Sequence, residues 1–333
     1  MAKSYHPSLD HYWLYCEQAK ELLFTENETN SQRLFDLPCG PFVKDGIHNY
    51  IVHSQKEKVN PKKKGSKMSA LYSLQFQPHE EKVIKLVLTN KNFTSDYFSS
   101  EFDALFQQRK KEADQFYASI NPFPIPEEQK IIQRQAFAGL LWNKQCYHYN
   151  VSKWLKSDHL SKEEQEKRKR GRNHNWTHLD AFDVISVPDK WEFPWFASWD
   201  LSFHAVSFAL IDPQFAKEQL LLLTKEWYMA PNGQLPAYEW NFSDVNPPTQ
   251  VWAALAVYHL ESEQYRKKDR LFLEKIFQKL LLNFTWWVNQ EDVEGKNIFE
   301  GGFLGLDNIG AFDRSQAALN GAILEQRDGT GWM

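Results

Sequence analysis

The feature of this sequence best suited to chemistry is an aspartate that follows closely spaced tryptophans. Asp200 lies in the segment DKWEFPWFASWDLSFH, which also contains Trp191, Trp195 and Trp199, and it is predicted to open a helix. An aspartate at a helix start is commonly only an N-cap, because its carboxylate accepts a backbone N–H. Apolar surroundings made of three indole rings would instead raise the pKa of the carboxyl group. A raised pKa suits a general acid for a glycosidic oxygen, so we predict that role for Asp200.

Two further segments combine amides, carboxylates and indole rings. They are PNGQLPAYEW at 231–240 and DVNPPTQVW at 244–252, and each is predicted to connect two helices. Flat aromatic rings can stack on sugars while polar neighbours bind hydroxyl groups. Ordinary turn chemistry is the alternative interpretation of both segments. The side chains that we predict to bind a sugar substrate are Trp191, Trp195, Trp199, Gln234, Glu239, Trp240, Asn246 and Asp307.

The composition is that of a globular protein rich in aromatic residues. Hydrophobic residues make up 42% and charged residues 25% of the 333 residues, which excludes an intrinsically disordered chain and suggests about two domains. The net charge of −4 argues against nucleic acid or an anionic membrane surface as a partner. Aromatic residues make up 15% of the chain, which fits either a large aromatic core or a carbohydrate site.

Cysteine usage and the N-terminal sequence bear on the compartment. Cys16, Cys39 and Cys146 are widely spaced and odd in number, so neither a disulfide framework nor a zinc pattern is present. The N-terminal residues include no apolar segment of the kind found in a secretory signal. We therefore expect a cytoplasmic protein with no membrane association and no metal site.

Hydrophobic periodicity changes near residue 95 and predicts a mainly α protein with an N-terminal β portion. Alternation predicts strands at 69–77 and 82–89, joined by a turn at 78–80. Apolar residues after about residue 100 have helical spacing, and the loops between the predicted helices are rich in Pro, Gly and Asn, including a predicted turn at 231–233. This pattern predicts antiparallel helical hairpins without strands between them. The charged stretch 161–172 is predicted to be a solvated connection. The predicted helices span about 101–117, 127–149, 200–211, 213–229, 247–260 and 270–290, with one more from about 314.

The long motifs resemble those of glycoside hydrolase family 63, in particular its mannosylglycerate-hydrolase-like and glucosidase-like bacterial branch. The matching segments are the three quoted above together with AKEQLLLLTKEW, EGGFLGLDNIGAFDRS and EQRDGTGWM, and the resemblance covers essentially the whole chain. It implies a β-sandwich followed by an (α/α)6 toroid, and inverting hydrolysis of α-glycosidic bonds without metal or organic cofactor. The implied substrate is a small carbohydrate or an oligosaccharide. The motif of Trp199 and Asp200 followed by His204 matches the family's general acid, so the resemblance also assigns that role to Asp200.

The sequence departs from the family in the number of predicted helices and in the general base. Fewer helices are predicted after residue 100 than a complete toroid contains, and no segment matches the surroundings of the family's general-base glutamate. We therefore expect part of a longer enzyme, with residues 1–95 as the C-terminal part of a β-sandwich domain and residues 96–333 as the first part of the toroid. The expected function is inverting α-glycoside hydrolysis, of the α-glucosidase or the mannosylglycerate or glucosylglycerate hydrolase type. The alternative is a catalytically inactive remnant, or a sugar-binding fragment that lacks the base.

Overall fold

The structure is a computed structural model in which the chain divides into two compact units, Met1–Phe116 and Tyr117–Met333. Helices predominate and the small antiparallel sheets of the first unit form an N-terminal β portion, so the predicted mainly α class is confirmed. No helix among the described residues has the length and apolar character needed to cross a membrane. The structure describes residues 1–93, 97–98, 100–121, 123–156, 160–171, 174, 176–187, 194–238, 241–245 (backbone only) and 247–289.

The first unit is built from two small sheets and short helices. One sheet has the antiparallel order β1-β2-β5, and the other pairs β3 with β4. Buried Leu23, Ile47 and Val59 form its core, with Tyr50 and Leu71 packed against them. The elements are β1 (Ala2–His6), β2 (Asp10–Cys16), β3 (Glu21–Thr25), α1 (Ser31–Phe35), α2 (Gly46–Val52), β4 (Lys67–Leu71), β5 (Leu86–Thr89) and α3 (Ser100–Ser119), which contains the unit boundary.

The two predicted strands of this unit are shorter than the alternating sequence suggested. The strand predicted at 69–77 is Lys67–Leu71, because its partner β3 begins at Glu21, which pairs with Leu71. The strand predicted at 82–89 is Leu86–Thr89, because its partner β2 ends at Cys16. A strand lasts only as long as a neighbour supplies hydrogen bonds, whatever its own alternation. The predicted turn is confirmed, since the Glu80 N–H donates to the Gln77 carbonyl at 3.0 Å.

The second unit packs helices around a large apolar core and adds two strand pairs. Ala205, Phe208, Leu220, Val257 and Ile276 are central members of this core. Strand β6 pairs with β7, and β8 pairs with β9, each in antiparallel order. The elements are α4 (Glu127–Trp142), β6 (Gln145–Asn150), α5 (Val151–Leu155), α6 (Lys162–Arg168), β7 (Asp180–Ile185), α7 (Ser198–Phe208), α8 (Pro213–Leu223), β8 (Pro236–Tyr238), β9 (Asn241–Val245), α9 (Thr249–Tyr265) and α10 (Arg270–Val288).

The expectation of a helical region without strands is wrong at both strand pairs, β6 with β7 and β8 with β9. Helix α4 ends at Trp142, not near 149, and the following residues form β6, in which Tyr147 is buried between exposed Cys146 and His148. This alternation suits a half-buried strand that pairs with β7. The toroid and the sandwich remain predictions, and the helix expected from about 314 lies outside the described residues.

The two loop predictions of the second unit have different outcomes. Most residues at 161–171 of the charged stretch are exposed, as predicted, but they include the short helix α6 with a capping box between Ser161 and Glu164. Helix α8 ends at Leu223, earlier than the predicted 229. The turn that the Pro-Asn-Gly sequence predicts is present, because the Gly233 N–H donates to the Ala230 carbonyl at 2.9 Å.

Candidate active site

Helix α7 carries Asp200 in its first turn. The sequence predicts a helix that starts at Asp200, whereas the N-cap is Ala197 and Asp200 is the third helical residue. Asp200 is therefore not the N-cap. Asp200 is exposed, whereas the sequence suggested that three tryptophans surround it. A negative side chain is favoured at this position because the first turn has unpaired backbone N–H groups and the positive end of the helix dipole.

Hydrogen bonds at Ser198 bring three elements together beside Asp200. The Ser198 hydroxyl donates to the carbonyl of Pro236 in β8 at 2.9 Å. The side-chain amide of Gln250, in the first turn of α9, donates to the Ser198 carbonyl at 3.4 Å. Ser198 and Gln250 are both almost completely buried. The N-terminal ends of α7 and α9 therefore lie side by side, with β8 against them.

Three aromatic rings form a continuous row across these two helices, which we call the aromatic ledge. The Trp199 and Phe203 ring centroids are 5.8 Å apart in an edge-to-face arrangement. Phe203 and Trp252 of α9 follow at 5.3 Å with a tilted arrangement. Phe203 is 40% exposed and Trp252 is 45% exposed, so the ledge is a surface feature and not part of the core.

The turn that carries Gln234 is fixed against helix α10. Gly233 has a φ of +91°, and a Cβ at this position would lie 2.4 Å from the backbone oxygen of Leu282. The buried Asn283 side chain donates to the Gly233 carbonyl at 2.9 Å. Gln234 itself is 5% exposed, and its carbonyl accepts the Ala230 N–H at 2.9 Å. A Gly at this position thus permits a close approach between the turn and α10.

The predicted site residues fall into two groups. Trp199 and Asp200 lie at the same end of α7 as the segment from Gln234 to Pro236, which the Ser198 hydrogen bond attaches there. Trp195 is half-buried just before the N-cap of α7. The predicted residues that lie outside the described part of the chain are Trp191, Glu239, Trp240, Asn246 and Asp307.

A half-buried histidine lies one helical turn after Asp200. Burial lowers the pKa of His204, and the Asp200 charge and a hydrogen bond with the Ser186 backbone act in the opposite direction. Its Nδ1 is buried and has no hydrogen-bond partner in the described part of the chain. The net effect is a lowered pKa. His204 lies on the Asp200 side of α7, because residues four apart on a helix share one face.

The segment behind His204 is held by a buried amide of α8. The Ser186 N–H donates to Gln219 Oε1 at 3.2 Å, and Gln219 Nε2 donates to the Val184 carbonyl at 3.0 Å. Gln219 is 2% exposed. The oxygen and the nitrogen of this one amide group are therefore both used to fix the end of β7 against α8, and they fix the backbone that contacts His204.

Sequence reasoning missed four residues at this end of the helices. Ser198 and Gln250 form the contacts that hold α7 and α9 together, and Phe203 and Trp252 complete the ledge. The spacing of four between Trp199 and Phe203 is a local signal that was available in the sequence. No local pattern relates Phe203 to Trp252, because they belong to different helices.

Metal-ligating side chains do not cluster in the described ranges. These ranges contain no group of three or more His, Cys, Asp or Glu side chains that could hold a metal ion.

A cavity of about 260 Å³ lies in the first unit and is lined in part by Asn30, Arg33 and Asp45. The Asn30 amide, which caps α1, donates to both Asp45 carboxylate oxygens at 3.2 and 3.0 Å. Since Asp45 is the N-cap residue of α2, these contacts connect the starts of two helices.

Comparison with known families places α7–α10 in a recognised domain. Residues 193–328 match the model of the mannosylglycerate hydrolase MGH1-like glycoside hydrolase domain. The chain therefore contains a glycoside hydrolase-like domain. Asp200, the aromatic ledge and the Gln234 turn all lie within the matched range.

The chain is similar to a curated relative, the uncharacterized protein YMR196W of Saccharomyces cerevisiae. It is 50% identical over 324 residues, which cover 94% of this chain and 30% of that protein. The chain thus spans 30% of the length of the curated relative it matches. No solved structure matches this chain.

Proposed function

We propose that this chain belongs to an α-glycoside hydrolase that acts with inversion, and that Asp200 is its general acid. The observation that carries the proposal is an exposed carboxylate in the first turn of α7, within a glycoside hydrolase-like domain and next to an aromatic surface. The resemblance to family 63 supports the finer assignment. It also supports residues 1–95 as the end of a β-sandwich and 96–333 as the start of an (α/α)6 toroid.

In this mechanism Asp200 donates its proton to the glycosidic oxygen as the bond from that oxygen to the anomeric carbon breaks. A second carboxylate takes a proton from water, and the water oxygen bonds to the anomeric carbon from the opposite face. Inverting enzymes hold the two carboxyl groups roughly 6.5–9.5 Å apart to leave room for this water. We assign the role of base to no described residue, and we interpret Glu239 and Asp307 as substrate-binding groups.

A general acid must hold a proton before the substrate is cleaved. The helix dipole favours the carboxylate form of Asp200, so its surroundings must supply the opposite effect. A sugar bound at the ledge would exclude water from Asp200, which disfavours the charged form. Burial lowers the pKa of His204 on the same face, which disfavours a positive charge beside the carboxylate form of Asp200. Substrate binding and protonation of Asp200 are therefore coupled in this mechanism.

The test is to follow the products of hydrolysis by proton NMR with the natural full-length protein. The substrates are an α-glucoside and an α-mannoside series with alcohol and sugar leaving groups. We expect hydrolysis of at least one series, with the β-anomer of the released sugar appearing first and the α-anomer forming later by mutarotation. Initial release of the α-anomer would contradict inversion. Sugar binding without any hydrolysis would support the alternative, a sugar-binding protein that lacks the base.

A further inference from the structure

We infer that Ser66 is a phosphorylation site for a protein kinase that selects basic residues on the N-terminal side of its target. Ser66 directly precedes β4, and its phosphorylation opens the adjoining end of the β3–β4 pair. This inference is independent of the proposed hydrolase function, because it concerns a loop of the first unit.

The loop before β4 concentrates positive charge around this serine. The segment 56–67, KEKVNPKKKGSK, contains six lysines and one glutamate, in a chain whose net charge is −4. Lys63 and Lys64 lie three and two residues before Ser66, and no other Ser or Thr of the sequence has Lys or Arg at both of these positions. A basophilic kinase binds such side chains with carboxylates beside its active site, as charge-assisted hydrogen bonds. The spacing therefore distinguishes Ser66 from the other hydroxyl groups of the chain.

The structure leaves this loop accessible. Every residue from 61 to 66 is exposed, whereas Val59 is buried and anchors the start of the loop. The Asn60 side chain closes the loop, because it accepts the Lys62 N–H at 2.9 Å and donates to the Lys64 carbonyl at 2.7 Å. A kinase binds its target as an extended segment. The hydrogen bonds of an exposed loop can open locally at low cost, so the segment can reach that conformation without unfolding the core.

The hydroxyl group of Ser66 helps to join the two strands at this end. Thr25, the last residue of β3, pairs with Lys67, the first residue of β4. Directly beyond this pair, Glu26 Oε2 accepts hydrogen bonds from the Ser66 hydroxyl at 2.5 Å and from the Ser66 N–H at 3.0 Å. The Asn27 N–H donates to Ser66 Oγ at 2.8 Å. The hydroxyl takes part in two of these three hydrogen bonds, so its modification acts directly on the strand end.

Phosphorylation reverses the electrostatics of these contacts. Ser66 Oγ bonds to the γ-phosphorus of ATP as the bond from that phosphorus to the oxygen bridging the β- and γ-phosphates breaks. ADP leaves with the electron pair of the broken bond, and the hydroxyl proton passes to the catalytic base of the kinase. The product carries a charge of about −1.5 to −2 and has no hydroxyl to donate to Glu26. The phosphate and the Glu26 carboxylate repel each other, while the flanking lysines attract the phosphate away from Glu26.

The experiment treats the natural full-length protein with the catalytic subunit of cyclic-AMP-dependent protein kinase and Mg-ATP. Mass spectrometry should locate the phosphate at Ser66, and Ser66→Ala should lower incorporation by at least about tenfold, because the acceptor hydroxyl is missing. The double variant Lys63→Gln with Lys64→Gln should lower kcat/KM for phosphorylation by at least about tenfold, through the loss of charge-assisted contacts.

A matched control keeps the same change of charge in the same segment. Lys56 and Lys58 lie ten and eight residues before Ser66. Lys56→Gln with Lys58→Gln should change kcat/KM for phosphorylation by less than about twofold, because exposed charges outside the contact contribute little. An equal loss for the two pairs of lysines would overturn recognition by spacing. Phosphate absent from Ser66, or incorporation that Ser66→Ala leaves unchanged, would overturn the inference and leave the proposed hydrolase function untouched.

Hydrogen–deuterium exchange measures the opening of the strand end. In the phosphorylated protein the amides of Asn27 and Ser66 should exchange about tenfold faster or more, because their hydrogen bonds to Oγ and to Glu26 are weakened or lost. Peptides from residues 1–16 serve as the control and should not change, since β1 and β2 belong to the other sheet. Unchanged exchange at Asn27 and Ser66 after complete phosphorylation would overturn the structural consequence.

Discussion

The hydroxyl oxygen of Ser198 lies 2.9 Å from the carbonyl oxygen of Pro236, and this hydrogen bond attaches β8 to the first turn of α7. Ser198 is 2% exposed, so water cannot readily replace it as a donor. The bond fixes the turn that carries Asp200, two residues further along. The position of the proposed acid therefore depends on a buried contact with the segment that also carries Gln234.

Replacing Ser198 by alanine tests this contact. Ser198→Ala should lower the free energy of unfolding by about 1–2 kcal/mol, because the buried Pro236 carbonyl loses its donor. Turnover of an α-glycoside should also fall by several-fold as the Asp200 turn loses its attachment. Urea denaturation and steady-state kinetics measure the two effects. Ser207→Ala, at an exposed position of the same helix, serves as the control and should change neither.

Gly233→Ala should destabilise the second unit. The φ of +91° strains any residue with a Cβ, and that Cβ would lie 2.4 Å from the Leu282 oxygen. We expect the free energy of unfolding to fall by roughly 1–3 kcal/mol, measured by urea denaturation.

Gly139→Ala is the matched control, because a Cβ there meets no atom within 4 Å and Gly139 lies inside α4. The control should gain about 0.5–1 kcal/mol, since alanine favours a helix interior. Equal effects of the two substitutions would show that the turn does not pack as described.

Lys217→Met should be strongly destabilising. Lys217 connects α8 to Glu261 of α9 and to Asp269, the N-cap residue of α10. Burial by itself would lower the pKa of Lys217, but its hydrogen bonds with both carboxylates and their charges outweigh burial and raise the pKa above the usual value. Without Lys217, the buried Glu261 carboxylate keeps only the exposed Lys267 at 3.4 Å, and the loss of one member of a buried ion pair costs about 3–5 kcal/mol. The double variant Lys217→Met with Glu261→Leu should recover much of this loss.

Thermal and urea unfolding measure the effect, and a nearby exposed lysine provides the control. Lys267 lies 3.4 Å from Glu261 but is 58% exposed, so Lys267→Met should cost less than about 1 kcal/mol. A loss for Lys217→Met no larger than that for Lys267→Met would contradict the structural role of this cluster.

His204 should make stability fall on acidification. Burial lowers its pKa in the folded protein, whereas the unfolded chain binds this proton at a pH of about 6.5. Below that pH the unfolded state therefore carries more protons, and the free energy of unfolding decreases as pH falls. His204→Gln should flatten this decrease below about pH 6.5, measured by urea denaturation at a series of pH values. If the free energy of unfolding changes with pH by the same slope in wild type and variant, the prediction is contradicted. The control is His148→Gln, at an exposed position.

The helices could be predicted from sequence because their signals are local. The apolar spacing that predicts a helix at 101–117 corresponds to α3 at Ser100–Ser119, and the helix predicted at 270–290 corresponds to α10 at Arg270–Val288. Strand β6 was missed because it depends on β7, which follows some thirty residues later, and its own sequence carries no strong strand signal.

The candidate site could be predicted only in part for a similar reason. Asp200 and Trp199 belong to a local motif, and the turn at Gly233 follows from its Pro-Asn-Gly sequence. The ledge and the Ser198–Gln250 contact arise where α7 meets α9, and no pattern within either helix encodes that pairing. The exposure of Asp200 also depends on the start of α7, which lies two residues before the predicted one.

The most direct test of the central claim is the activity of Asp200→Asn in the natural full-length protein, assayed with an α-linked disaccharide and with the corresponding α-glycosyl fluoride. The amide cannot donate a proton to the glycosidic oxygen, so kcat for the disaccharide should fall by about 10²- to 10⁴-fold. The fluoride should be affected much less, because fluoride departs with little protonation. Circular dichroism should show unchanged folding. Wild-type turnover of the disaccharide by Asp200→Asn would contradict the assignment of Asp200 as the general acid.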